Sequence, residues 1–163
     1  MLTHHRRPVR LSLISTDLPL WYTVETAATL YQKDQQRFHL LLSEPALPEW
    51  EPELTTTGDT NRQKSETLRH LWLEISPYRV IMTMQENGRL SYRHLWEKGV
   101  YGISRYWLQN DSRQGHESLR LRNYTLSLKL EGHPLPQHLQ LEYELWSERV
   151  QLGCYVLNLQ IHH

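Results

Sequence analysis

The stretch YRVIMTMQENGRLSYRHLW, residues 78–96, decides the fold class. Its centre, Asn87-Gly88, separates two runs rich in β-branched, aromatic and unbranched apolar residues. A two-residue type I′ turn needs positive φ at both central positions, which Asn and Gly adopt at least cost, and its twist matches that of paired strands. The stretch therefore predicts a hairpin of Tyr78–Gln85 and Arg89–Trp96. For a plain two-residue loop the partners are Arg79 with Trp96, Ile81 with His94, Thr83 with Tyr92, and Gln85 with Leu90. That register places Arg79, Tyr92, His94 and Trp96 on one face. Val80, Met82, Met84 and Leu95 read as the core face.

Turn signals continue at regular intervals toward the C-terminus. Glu97-Lys98-Gly99 leads into Val100–Gln109, and the polar Asn110–Glu117 leads into Ser118–Glu131. Gly132-His133-Pro134 and then Ser147-Glu148-Arg149 introduce His138–Trp146 and Val150–Ile161. Sequential strands with short connections make an antiparallel meander. Two of these strands change apolar phase. Leu119 and Leu121 give way to Tyr124, Leu126, Leu128 and Leu130. Val150, Leu152 and Cys154 give way to Tyr155, Leu157, Leu159 and Ile161, with Gly153 at the switch. A one-residue slip moves every later side chain to the other face, so a bulge is expected at each point, and bulges curl sheets toward closure.

Upstream the signals are weaker. Residues 1–8 read as a flexible tail, and Val9–Leu13 alternates as a strand. Asp17 is placed to cap a helix, with Pro19 in its first turn and Leu20, Val24, Ala27, Ala28 and Tyr31 on one helical face. Thr23, Val24, Thr26 and Thr29 oppose that reading, being β-branched. Phe38–Leu42 and Thr67–Ile75 read as strands. Residues 44–67 hold Pro45, Pro48 and Pro52 among acidic residues, and read as an acidic, Pro-rich surface excursion. The expected fold is mainly β (α+β): one domain spanning residues 1–163, an antiparallel meander of about six to eight strands, forming a curled sheet or up-and-down barrel with one N-terminal helix.

Composition narrows function without naming it. Eighteen basic residues balance eighteen acidic ones, so nucleic acid is not the expected partner. The one cysteine, Cys154, excludes an internal disulfide framework and points to a reducing, cytoplasmic setting. No run is long and apolar enough for a membrane span. Six Trp and nine Tyr stand against one Phe, an excess that suits partly wet binding surfaces.

No catalytic or metal motif stands out, and no cofactor is expected. The ten histidines have no zinc-type spacing. The expected function is a non-catalytic binding protein, an adaptor or assembly factor that uses an aromatic sheet face. Its partner is another protein or a second copy, and Glu49, Trp50 and Glu51 are the candidate partner-binding element. One alternative is a small-molecule-binding barrel or lyase with Arg79, Tyr92, His94 and Trp96 around an anionic, aromatic or tetrapyrrole-like ligand. The other is a single-stranded nucleic-acid binder that uses the basic and aromatic residues of 98–129.

Overall fold

The computed structural model describes residues 4–19, 21–45, 68–86, 88–109 and 116–163. They form ten strands: β1 (His4–Ser15), β2 (Trp21–Gln32), β3 (Phe38–Pro45), β4 (Leu68–Ile75), β5 (Arg79–Glu86), β6 (Arg89–Glu97), β7 (Tyr101–Gln109), β8 (His116–Glu131), β9 (His138–Ser147) and β10 (Val150–Ile161). Each strand pairs antiparallel with its neighbour in sequence, and β1 pairs with β10 from Val9↔Ile161 to Ser15↔Tyr155. The sheet is therefore a closed up-and-down barrel, which leaves no strand edge exposed.

The expected N-terminal helix is absent from the described residues, and the strand count exceeds the expected range. The segment read as helical is β2, paired with β1 along its length from Trp21↔Ile14 to Tyr31↔His4. Its spaced apolar residues fit a helical face, but Thr23, Val24, Thr26 and Thr29 lose rotamer freedom in a helix and none in a strand. The ladder to β1 then outweighs the weak local preference. His4–Pro8, read as tail, is the first part of β1.

The core is the inward face of every strand. Leu30, Leu40, Leu73, Val80, Leu141 and Leu159 are essentially inaccessible to solvent. Burying each such side chain contributes about 1.5–3 kcal/mol. Three ladder irregularities shape the barrel: at Met84/Gln85 in β5–β6, Thr125/Ser127 in β8, and Gln151/Gly153 in β10. The last two answer the phase switches of the sequence. Leu126 and Leu152 are the extra residues, and both point into solvent at 46% and 44% exposure.

One seam departs from regular pairing. The β6–β7 ladder covers only Tyr92↔Tyr106, Arg93↔Arg105 and His94↔Ser104. Beyond it β6 crosses β7 at Gly102 and reaches β8, where Gly99 N–H donates to Thr125 O at 3.1 Å and Lys98 bridges Thr125. A Cβ at Gly102 would lie 1.9 Å from Leu95 O and 2.8 Å from Asn123 Oδ1. No side chain fits between two backbones at that distance. Gly102→Ala is expected to cost about 3 kcal/mol or more, read as a fall in the urea midpoint at unchanged m-value. A midpoint within experimental scatter of the parent would show that the strands do not cross there.

Candidate functional site

The crossing at Gly102 gathers a cluster of polar side chains inside an otherwise apolar barrel. His94, Ser104, Asn123 and Thr125 are the buried polar residues of the interior beside it, with Ser104, Asn123 and Thr125 fully inaccessible. Adjacent inward positions hold Tyr92, Trp96, Tyr106, Tyr143 and Tyr155. Strand alternation fixes this set: Tyr92, His94 and Trp96 recur at every second residue of β6, and Gly102, Ser104 and Tyr106 do the same on β7.

The hydrogen bonds run in one chain. Asn123 Nδ2 donates to Leu95 O at 3.1 Å and to Ser104 Oγ at 2.8 Å. Ser104 Oγ lies 2.7 Å from His94 Nδ1. With Asn123 already donating to Ser104, the arrangement that uses the hydroxyl fully has Ser104 donating to Nδ1, which leaves the His94 proton on Nε2. Of the buried polar atoms without a hydrogen-bond partner among the described residues, three belong to this cluster: Trp96 Nε1, Asn123 Oδ1 and Thr125 Oγ1. Unmatched buried polar groups are rare and cost about 1–3 kcal/mol each.

Aromatic rings surround this chain. The His94 ring stacks on Trp96 at 4.7 Å with 3° between planes, and Tyr106 meets His94 edge-on at 5.4 Å. Tyr92 lies 5.2 Å from His94, Tyr143 lies 5.0 Å from Trp96, and Tyr155 lies 5.4 Å from Tyr143. Burial pushes the His94 pKa down to about 3, so the imidazole is neutral at neutral pH. Burial, reinforced by Tyr155, pushes the Tyr106 hydroxyl up to about 12. Burial also raises Tyr143 well above the phenol range, with smaller contributions from Tyr106, Tyr155 and Tyr92. The Tyr106 and Tyr143 hydroxyls are thus uncharged at neutral pH. Tyr92, Tyr106 and Tyr155 are only half-buried. Tyr92 and Tyr106 lie toward the barrel end that carries the β5–β6 and β7–β8 connections.

The structure brings Tyr92, His94 and Trp96 together but not Arg79. Val80, Met82 and Met84 face Trp96, His94 and Tyr92 across the ladder, and all share the interior. Arg79 pairs with Glu97 on the outside, with Nη1 3.9 Å from Oε1. The cause is the irregularity at Met84/Gln85, where Ser91 is extra on β6. Gln85 still faces Leu90, but every pair beyond is one residue out from the plain-hairpin register. Glu49, Trp50 and Glu51 lie outside the described residues.

Ser104, Tyr106, Asn123, Thr125, Tyr143 and Tyr155 complete the site; sequence reading assigned none of them to it, and placed Tyr106 on the basic and aromatic face of 98–129. A signal was present: between Leu121 and Leu128 the inward positions of β8 are polar and the outward ones, Tyr124 and Leu126, are apolar. Asn123 also begins a glycosylation sequon, Asn-Tyr-Thr, yet its side chain is wholly interior. Elsewhere, a groove of ≈ 430 Å³ crosses the outer face of β2–β5, lined by Arg6, Tyr31, Ser43, His70 and Trp72 among others. It opens where the β2–β3 ladder stops at Ala28↔Leu42 and contains no buried polar residue. Cys154 faces outward, and burial followed by Asp17 raises its thiol pKa, so it is not primed as a nucleophile. Among the described residues no group of three or more His, Cys, Asp or Glu could hold a metal ion, and no helix is long and apolar enough to cross a membrane.

No family model matches the chain, and no curated protein matches it. Among solved structures it is similar to the ywiB protein from Bacillus subtilis, with a TM-score of 0.58 at 12% identity, over 97% of this chain and 94% of that one. Identity at that level supports the barrel architecture alone.

The buried histidine makes stability depend on pH. The native pKa of about 3 lies below the ordinary value of 6.5, so between them the unfolded chain binds more protons and acid favours unfolding. Stability contributed by neutral His94 is complete above the unfolded pKa and is lost as pH falls toward the folded one. At about pH 5 the chain is expected to be about 2 kcal/mol less stable than at about pH 8. His94→Gln should flatten most of that slope, leaving a smaller contribution of the same sign from His39, whose pKa burial also lowers. Denaturant unfolding across pH measures both, and an unchanged slope in the variant would place His94 in contact with water.

Proposed function

We propose that this protein is a small-molecule-binding barrel whose ligand is a neutral, planar, hydrogen-bonding heterocycle. The observation that carries this reading is the set of unmatched polar atoms, Trp96 Nε1, Asn123 Oδ1 and Thr125 Oγ1, buried among stacked aromatic rings. A barrel filled for stability alone would place apolar side chains at those positions, as it does on β3, β4 and β5. Small barrels hold one ligand between their interior side chains. A flat ligand with both a donor and an acceptor edge would match the indole N–H and the amide and hydroxyl oxygens, while the four tyrosines and His94 supply stacking faces.

Charge sharpens the ligand class. Among the described residues no Lys, Arg, Asp or Glu is buried, and His94 is neutral. An anionic ligand would enter a low-dielectric interior without a counter-charge, at a cost of several kcal/mol. Arg79, which motivated the anionic reading, is on the outside. Binding is favoured over acid–base turnover, because a histidine with a pKa of about 3 is a poor general base near neutrality. A cytoplasmic setting fits the single, unpaired cysteine.

Titration of the ¹⁵N-labelled protein with adenine, benzimidazole and riboflavin tests the reading. At least one of these should shift the Trp96 indole N–H resonance saturably. Asn123→Ala should weaken that binding by about tenfold, the worth of one hydrogen bond to a buried partner. Adenosine monophosphate should bind far more weakly than adenine. Absence of any saturable Trp96 shift across the three neutral probes would overturn the proposal, and so would tighter binding of the monophosphate.

A further inference from the structure

The outward face of the same three strands carries a different pattern. Arg93 on β6 lies directly opposite Arg105 on β7, and Arg105 lies directly opposite Arg120 on β8. Arg122 follows on β8, opposite Ile103. Like charges placed face to face across a sheet are destabilising. Among the described residues, none of these four arginines forms an ion pair with a carboxylate, although four other arginines on the barrel do. Their internal contacts are to neutral groups. Arg105 Nη2 donates to Ser118 Oγ at 3.2 Å, Arg122 Nη2 donates to Glu148 O at 2.6 Å, and Arg105 Nε is unmatched. Glu144 on β9 faces Tyr124 on β8, two residues along from Arg122.

Aromatic rings interleave with this row. The Arg105 guanidinium sits over Trp107 at 4.8 Å, and that of Arg122 over Tyr101 at 5.1 Å. Tyr101 packs against Tyr124 at 4.9 Å and is 57% exposed. The rings hold the guanidinium planes in place and lower the entropy lost when they bind a second partner. At strand spacing, the three-arginine row is about 10 Å long.

We propose that the outer face of β6–β8 binds single-stranded nucleic acid, with phosphodiester groups across Arg93, Arg105 and Arg120 and bases against Tyr101 and Trp107. Uncompensated positive charge fits a polyanion, and the rings of exposed Tyr101 and half-buried Trp107 fit one whose repeating unit carries a flat face. The zero net charge of the chain does not oppose this, because local charge governs contact. The proposal is independent of the interior site.

Fluorescence anisotropy with labelled oligo-dT and oligo-rU, each about twelve nucleotides long to span the row, tests it, with oligo-glutamate of matched charge as competitor. Affinity should fall from about 50 to about 200 mM salt with a log–log slope of roughly −2 to −3, the value for three or four phosphate contacts on a single strand. Arg93→Ser and Arg120→Ser, both at exposed positions, should each reduce the slope by about 0.7. Tyr101→Ala should weaken binding by about tenfold and leave the slope unchanged. Circular dichroism confirms that the variants stay folded. Failure to bind either oligonucleotide would overturn the proposal. It would also fall if binding proved indifferent to these arginines, or if oligo-glutamate competed equally and Tyr101→Ala had no effect.

Discussion

The Asn123 amide takes the place of a backbone hydrogen bond, and much of the barrel interior depends on that substitution. After His94↔Ser104 the strands β6 and β7 cease to pair, so Leu95 O loses its ladder partner. Asn123 Nδ2, reaching from β8, supplies one. It can do so only because Gly102 brings the intervening backbone to within the space of a missing methyl group. The second Asn123 proton goes to Ser104, which in turn fixes His94. Leu95 and His94 on β6 and Ser104 on β7 are thus held by one amide from β8. An apolar side chain at position 123 would leave Leu95 O buried and unmatched, a loss that packing does not restore.

Much of the strand order was legible in the sequence, because local turn chemistry carries it. Gly88 has φ +76°, as the type I′ reading requires, and the hairpin it closes is present. Gly153 marks a bulge that the phase of Leu152 and Tyr155 had announced. Closure was not legible. It rests on β1 meeting β10, residues some 150 positions apart, and no local pattern encodes a contact at that separation. Strand β2 was misread because a run with Leu20, Val24, Ala28 and Tyr31 satisfies a helical period by accident; its two flanking ladders decide the matter.

The candidate site was half legible for the same reason. Tyr92, His94 and Trp96 share a face in any register, since they alternate on one strand. Their assignment to a face with Arg79 rested on an unbroken ladder, and Ser91 breaks it. The polar residues of β7 and β8 were hidden by the habit of assigning apolar residues inward. On β8 that habit fails where it matters, since Asn123 and Thr125 are inside and Tyr124 and Leu126 outside. Local rules are broken here because the interior chain of hydrogen bonds requires these residue types, as tends to happen at sites built for binding.

The two faces of β6–β8 are bound together by strand alternation. The pairs that form the short seam are Tyr92↔Tyr106, Arg93↔Arg105 and His94↔Ser104, so an arginine pair stands outside between two interior pairs. Repulsion between Arg93 and Arg105 acts directly on the shortest ladder of the barrel. The buried His94–Ser104–Asn123 chain acts on the same ladder with the opposite sign, since its hydrogen bonds tie β6 to β7 and β7 to β8 from within. Neutralising the outer row would relieve the repulsion, and filling the unmatched polar positions inside would strengthen the tie. Both changes would stabilise the one seam where regular pairing is minimal, and so the part of the barrel that opens at least cost.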